Sequence, residues 1–395
     1  MAAESATVSS PPPAESIPAS DALHARVRSF AAGESSETFE QLAPAIFEHQ
    51  LRNSAGYRRL VHTRAKSIAT WQDIPPVPVQ AFRIARVSTY PEALDVVRFL
   101  SSGTTSTTRS QHCMRTTATY EALSLAHGRR ALVPEWAGKP VVVAIAQRPS
   151  KSSGSSLAHM MRHFMVEFDG RALTLDPQGV AFDPNSDERW LLDSSGVNIA
   201  GVRRAAKLAR NRNQSLLLLA TSWALAMLLD ALDEGIIDAP KRTVIMQTGG
   251  FKGRGPELPP DELRDRVADA FRIPPEHVVS EYGMTELTSQ LYEGLLPESG
   301  LAGGRPGVFF PPPWLRAVPV DPVSLEPCPP DHTGLAKFVD LGNVDSAVAI
   351  VTEDLVRSVD GGIELVGRRR GAPSRGCSLA AEMSVVGPIA TAEGP

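Results

Sequence analysis

The chain has 395 residues, 42% of them hydrophobic and 21% charged, enough to bury a sizeable core divided into two or three subdomains. A formal net charge of -4 offers no general surplus of positive charge for a phosphate backbone, which argues against a nucleic-acid partner and leaves only a local basic patch open. Three scattered cysteines, Cys113, Cys328 and Cys377, fit a reducing compartment, form no disulfide scaffold and make no zinc-ligand pattern.

Residues 1–20 are rich in Ala, Ser, Glu and Pro and have no apolar core, so they read as a disordered tail and not as a signal peptide. A helix is expected from about Ser35, capped by Ser35 or Ser36, with Phe39, Leu42, Ile46 and Leu51 recurring at helical spacing. A second covers Asn53 to Lys66. Trp71 to Val79 is punctuated by prolines and extended, a stretch expected to lie along the surface of a larger body. Phe82 to Val87 reads as a short strand. Val96 to Leu100 reads as a buried strand that opens into Ser101-Ser102-Gly103-Thr104-Thr105-Ser106-Thr107-Thr108-Arg109. Amides and hydroxyls gathered at a strand end can cradle an anion such as phosphate, and Arg109 adds charge; a flexible polar linker has the same composition.

Thr116 to Arg130 is an expected helix with Leu123, Leu125 and Ala126 facing inward. Pro140 to Ala146 is an apolar run of the kind found in strands covered on both faces. Ser155 to Met165 reads as a helix capped by Ser155 or Ser156, its methionines suited to an adaptable pocket wall. Asn198 to Arg212 is a basic amphipathic helix and Leu216 to Leu232 its buried helical neighbour. Asp230 and Asp233 stop that apolar run short of the roughly 20 residues that span a bilayer, so no membrane and a cytoplasmic location are expected. The strand Arg242 to Gln247 ends in Thr248-Gly249-Gly250-Phe251-Lys252-Gly253-Arg254. A helix at Pro260 to Phe271 and a strand at Val278-Val279 lead into the loop Ser280-Glu281-Tyr282-Gly283-Met284-Thr285-Glu286.

This alternation predicts an α/β core over residues 21–300 with a mostly parallel sheet and its functional loops at the carboxyl ends of the strands. Short strands at Leu315–Val320, Leu335–Leu341, Val348–Val351 and Gly362–Val366 form an expected β-rich subdomain over 301–366, leaving 367–395 as a short C-terminal remnant. Four loops carry chemistry: Ser101 to Arg109, Thr248 to Arg254, Ser280 to Glu286, and Thr352-Glu353-Asp354. A nucleoside triphosphate needs such parts, namely amides and hydroxyls for phosphates, a carboxylate for Mg²⁺ and an acid for ribose hydroxyls. Each taken singly also reads as a surface turn.

Together, in this order, the segments resemble the adenylate-forming superfamily, over about Trp71 to Leu379, and within it the acyl-protein synthetase branch typified by the fatty-acyl-protein synthetase of bacterial luminescence. Ser101-Ser102-Gly103-Thr104-Thr105 is similar to the family's phosphate loop, and Tyr282-Gly283-Met284-Thr285-Glu286 to its Tyr-Gly-x-Thr-Glu motif. The resemblance implies ATP and Mg²⁺ as cofactors, with Thr104, Thr105 and Arg109 on the β- and γ-phosphates, Tyr282 against the adenine and Glu286 on the metal. Thr285 would reach the α-phosphate or the acyl carboxylate, and Asp354 the ribose hydroxyls. Gly367-Arg368 resembles the family's hinge-proximal pair, and Ser155-Ser156-Leu157 and Gly249-Gly250-Phe251-Lys252 look like the acyl-protein branch.

Two departures stand out. Ser106 replaces the usual glycine of the phosphate loop, and Arg109 takes the place of its lysine. Fewer than about 30 residues, none a lysine, follow Arg368, where the family has a mobile C-terminal domain carrying one; the expected fold is therefore the large N-terminal domain with that domain absent or strongly truncated. Lys252 and Arg254 are the candidates to neutralise developing charge in its place.

The implied reaction joins a small-molecule carboxylic acid to AMP with release of pyrophosphate, then moves the acyl group to a thiol: a protein cysteine, a carrier protein or CoA. Cys377 matches the place of the branch's acyl-accepting cysteine, and Arg375 nearby would favour its thiolate; an inert cysteine is the alternative. Cys113 reads as packing, and His159 and His163 as a pocket wall or ordinary hydrogen-bonded histidines. An acyl- or aryl-CoA ligase and a non-catalytic binder of nucleotide or acyl-adenylate are the competing functions. A homo-oligomer is left open.

Overall fold

The computed structural model describes residues 16–63, 68–101, 109–150, 154–249, 258–297, 299, 301 and 304–369. Helix α1 (Ser16–Ala32) starts inside the stretch expected to be disordered. Ser20 Oγ donates to Asp345 Oδ1 at 2.6 Å, and His24 Nε2 lies 3.0 Å from Asp345 Oδ2. Residues 16–20 are thus ordered by a distant buried acid, which no local pattern announces; residues 1–15 lie outside the described residues. Helix α2 (Phe39–Asn53) buries Phe39, Leu42 and Ile46 as its spacing predicts, but begins after Thr38, whose N–H donates to Gln41 Oε1 at 2.9 Å. Helix α3 (Ala55–Thr63) follows, and 64–67 lie outside the described residues.

The proline-punctuated stretch does not stay on the surface. Ile74 and Val77 are buried, and β1 (Val77–Pro78) joins a sheet by pairing in parallel with Ile350 and Val351. The strand expected at Phe82 to Val87 is instead a turn of helix, α4 (Ala81–Ile84): Phe82 and Arg83 donate to Val79 O and Gln80 O, and Phe82 is driven into the core. Strands β2 (Val97–Leu100) and β3 (Gln111–Met114) form a separate antiparallel hairpin, in which Phe99 is the one buried residue of β2. The strand that leads into the hydroxyl-rich segment is therefore half of a hairpin and not a core strand; residues 102–108 lie outside the described residues.

Beyond it come α5 (Ala118–Leu132), β4 (Val141–Ile145), α6 (Ser156–Phe164), the small hairpin β5 (Leu192–Asp193) and β6 (Gly196–Val197), and α7 (Ile199–Asn211). The expected helix at Leu216 to Leu232 is in fact two elements, β7 (Leu216–Thr221) and α8 (Ser222–Leu232). Thr221 ends the strand with extended backbone, and its side chain accepts the Ala224 N–H to cap the helix. The two halves form one nearly unbroken apolar run, so periodicity alone cannot separate them. Next are β8 (Val244–Thr248), α9 (Pro260–Phe271), β9 (Val278–Tyr282), β10 (Leu291–Glu293), β11 (Val308–Phe310), β12 (Leu315–Val320), β13 (Gly334–Asp340), β14 (Ala349–Val359) and β15 (Gly362–Arg368).

Strands β4, β7, β8 and β9 are parallel neighbours. Alternate residues serve two layers: Val143, Leu218 and Ile245 pack with Val202, Leu228 and Phe271 of α7 to α9, whereas Val142, Leu217 and Met246 pack with Met160, Met161 and Phe164 of α6. From β9 the same sheet continues antiparallel as β10-β11-β15-β14-β13-β12, making eleven strands with β1. Helices α1 and α2 cover this half through Val27, Leu42 and Ile46. One edge of β14 is shared end to end: β1 pairs with Ile350 and Val351, and β15 takes over from Asp354, opposite Arg368. No helix among the described residues is long and apolar enough to cross a membrane.

The turn between β13 and β14 tolerates no side chain at Gly342, where a Cβ would come within 2.6 Å of Thr288 Cγ2 and 2.8 Å of Leu123 Cδ1. Gly342→Ala is expected to destabilise the fold by about 1–3 kcal/mol, the usual cost of overpacking, read as a lower urea midpoint with an unchanged slope.

Candidate functional site

Two of the chemistry-bearing segments, Ser280 to Glu286 and Thr352 to Asp354, meet where β14 changes partner, with Thr248 at the end of β8 beside them. In β8 and β9, Thr248 stands opposite Glu281, and its hydroxyl donates to Glu281 Oε2. Gly249 follows with φ 71°, its carbonyl accepting from Ser222 Oγ at 2.8 Å. A Cβ on Gly283 would fall 2.3 Å from Glu281 Oε1, so the pinned carboxylate leaves room there for glycine alone.

The next residue pair closes the site across the sheet. Tyr282 Oη donates to Asp354 Oδ2 at 2.9 Å, joining segments 72 residues apart. The Asp354 N–H donates to Thr352 Oγ1 at 3.1 Å, which fixes the backbone of the acidic turn. Arg368 Nε lies 3.5 Å from Asp354 Oδ1, and an Arg368 Nη lies 3.9 Å from Glu353 Oε2. Burial lowers the Arg368 pKa, while Glu353, Tyr282 and Glu286 act to raise it, so all three share its electrostatic neighbourhood. Its Nε and Nη1 are buried without a hydrogen-bond partner among the described residues. Buried donors without an acceptor are what an incoming oxygen-rich ligand could satisfy.

Thr285 and Glu286 are buried and held through their backbone. The carbonyl of Thr285 is 2.9 Å from His112 Nδ1, and His112 Nε2 is 3.0 Å from Ser346 Oγ. A carbonyl only accepts, so Nδ1 carries the proton and Ser346 donates to Nε2. The Glu286 carbonyl accepts from Asn343 Nδ2 at 3.0 Å, and Asn343 O in turn accepts from Gln50 Nε2 of α2. Asp340, wholly buried, accepts the N–H groups of Thr288, Ser289 and Gly342 and the Ser289 hydroxyl, although desolvation still raises its pKa.

His112, Asn343 and Asp340 support the candidate site through hydrogen bonds that sequence reasoning missed. The signal for two of them was present: Asp340-Leu341-Gly342-Asn343 interrupts an apolar stretch with polar residues that a plain turn does not need. Of the expected site residues, the structure brings together Glu281, Tyr282, Gly283, Glu286, Asp354 and Arg368. Ser101 closes the neck of the hydroxyl-rich loop with Ser110, exchanging hydrogen bonds of 3.0 and 2.9 Å, and Arg109 stands half-buried beside it. Ser102, Gly103, Thr104, Thr105, Gly250, Lys252, Arg254 and Cys377 lie outside the described residues. Cys113 is buried and its thiol pKa is raised by that burial, which suits packing and not nucleophilic chemistry. His159 pairs with Glu121 at 2.9 Å and packs edge-on against Phe99 and Tyr120.

Burial pushes the His112 imidazole down to about 4, so it is neutral at pH 7. The unfolded chain takes up that proton near 6.5. Between the two values the unfolded state binds more protons, and stability falls as pH drops, by roughly 3 kcal/mol at pH 4. In His112→Asn this share of the acid sensitivity should vanish, so that urea midpoints at pH 7.5 and pH 4.5 differ less than in the unaltered protein.

No family model matches the sequence. The long-chain-fatty-acid–luciferin-component ligase of Vibrio harveyi is 27% identical over 144 residues, which span 34% of this chain and 35% of the relative. The chain thus aligns with about a third of that relative's length. Among solved structures, 2-hydroxyisobutyryl-CoA ligase with 2-HIB-AMP and CoA in the thioesterification state superposes with a TM-score of 0.52 at 13% identity, covering 89% of this chain and 67% of that one. An open conformation of the same ligase gives a TM-score of 0.51 at 13% identity, covering 83% and 75%. At such identity the likeness speaks for architecture: the chain has the large-domain fold of the adenylate-forming ligases.

Proposed function

We propose that the chain activates a carboxylic acid with ATP as an acyl-adenylate, releasing pyrophosphate, and then passes the acyl group to a thiol. The observation that carries this reading is the Tyr282–Asp354 hydrogen bond, because it joins the two buried residues that the reading assigns to adenine and ribose. In-line attack of a carboxylate oxygen on the α-phosphorus forms the new C–O–P link and expels pyrophosphate with the bonding electrons. The protein's share is positioning and charge neutralisation.

Asp354 accepts from the ribose hydroxyls while Tyr282 fixes its orientation, and Arg368 Nη1, which makes no hydrogen bond among the described residues, binds an oxygen of the nucleotide. Thr285, on a backbone clamped by His112, faces the α-phosphate or the acyl carboxylate. Thr104, Thr105 and Arg109 take the β- and γ-phosphates, and Lys252 neutralises charge at the reacting centre. Magnesium at a nucleotide typically takes one or two carboxylates and otherwise phosphate and water oxygens, which the buried Glu286 fits. When bound it neutralises phosphate charge. Cys377 is the acyl acceptor in this reading. A second reading has CoA as the acceptor, favoured by the CoA in both complexes that share the fold.

The test is acid-dependent ATP–pyrophosphate exchange over a panel of fatty, aryl and amino acids. Asp354→Ala is expected to lower exchange about 10- to 100-fold, as for loss of charged hydrogen bonds of about 1.5–3 kcal/mol. Cys377→Ala should keep exchange and lose protein-bound acyl label; retained thioester formation with added CoA would favour the second reading. Nucleotide binding without exchange for any acid would sink both.

A further inference from the structure

Lys337 lies on the other side of β13 from Phe338, the ring that packs on Tyr282. It stands in register with Val318 and Val351, next to a small apolar cluster of Val320, Leu335 and Val351. A lysine in this place is unusual, being only 4% exposed. Its Nζ donates to Gln72 O at 2.7 Å. The side chain lines a cavity of about 520 Å³ between two turns, Gln72 to Pro76 and Val323 to Pro327. Ile74, Pro75, Pro76 and Leu325 give that cavity hydrocarbon walls, and Asp73 and Glu326 give it two acids.

Burial outweighs the attraction of those acids and pulls the Lys337 amine down to about 8. Roughly a tenth of it is then neutral at pH 7, against well under a thousandth for an ordinary exposed lysine. Desolvated lysines of this kind are nucleophiles toward carbonyl carbon.

We propose that Lys337 is a carbonyl-capturing site that forms a Schiff base with a small, neutral aldehyde entering this cavity. The amine lone pair attacks the aldehyde carbon and a C–N bond forms. The carbonyl oxygen departs as water with the two amine hydrogens, leaving an imine, which one solvent proton converts to the iminium ion. The iminium keeps one N–H, so the bond to Gln72 O survives. Its positive charge sits near Asp73 and Glu326 and is stabilised by them. An anionic electrophile such as an acyl phosphate meets the same two carboxylates as repulsion, so the site selects a neutral carbonyl. The reaction uses neither nucleotide nor magnesium and does not depend on acyl activation at the other site.

The experiment treats the full chain with butanal and cyanoborohydride at pH 7 and maps reductively alkylated lysines by peptide mass spectrometry. Lys337 is expected to react at least about tenfold faster than the exposed Lys139, Lys207 and Lys241, the gain in neutral fraction being partly offset by restricted access. In Lys337→Met the fast site should disappear while the three exposed lysines label as before. Labelling of Lys337 no faster than theirs in the unaltered protein would overturn the proposal. So would faster modification of Lys337 by acetyl phosphate than by butanal.

Discussion

A carboxylate removed from water must be ringed by donors, and much of this molecule is arranged around that demand. Asp340 meets it with three backbone N–H groups and a hydroxyl, which pins the turn after Glu286 to the turn after β13. Glu293 meets it with Arg264 of α9 and the N–H groups of Ser280 and Gly307, at the far end of the same motif. The segment from Ser280 to Ser289 is therefore held at both ends by buried acids. Its side chains keep their positions because its backbone has no freedom to relax.

The helices before residue 63 belong to the same arrangement. Gln50 gives two hydrogen bonds to the carbonyls of Asn343 and Val344 and accepts the N–H of Val348. Asp345 is surrounded by Ser20, His24, Thr89 and Arg115; burial pushes its carboxyl up, but His24, Ser20 and Arg115 outweigh this and hold it down at about 2. The turn that supports Glu286 is thus assembled from the N-terminal helices, the β2–β3 hairpin and the sheet. Removing any one would leave a buried polar group without its partner, which is costlier than losing an exposed contact.

Much of this was legible where physics is local. Helix α9 runs from Pro260 to Phe271 as its proline start and apolar spacing predict, and Ser155 caps α6 through the Ala158 N–H. The residues Glu281, Tyr282, Glu286 and Asp354 stood out because their order resembles that of a known family, and the fold brings them together. What stayed hidden depends on partners far along the chain. The strand in Leu216–Thr221 looks like the helix after it because the two form one nearly unbroken apolar run. Phe82 coils instead of extending because β1 has just docked on β14. Ser16 to Ser20 read as a tail because their acceptor, Asp345, is not in view.

The divided edge of β14 has a consequence for how the protein comes into being. Strand β1 is synthesised well before its partner residues Ile350 and Val351, and β15 follows later still. The floor beneath Asp354 therefore cannot exist on a nascent chain, however well its parallel half has already folded. Such long-range closure is slow and comes late in folding. A polypeptide stalled before residue 350 therefore carries most of the sheet's strands but not the bridge between Tyr282 and Asp354.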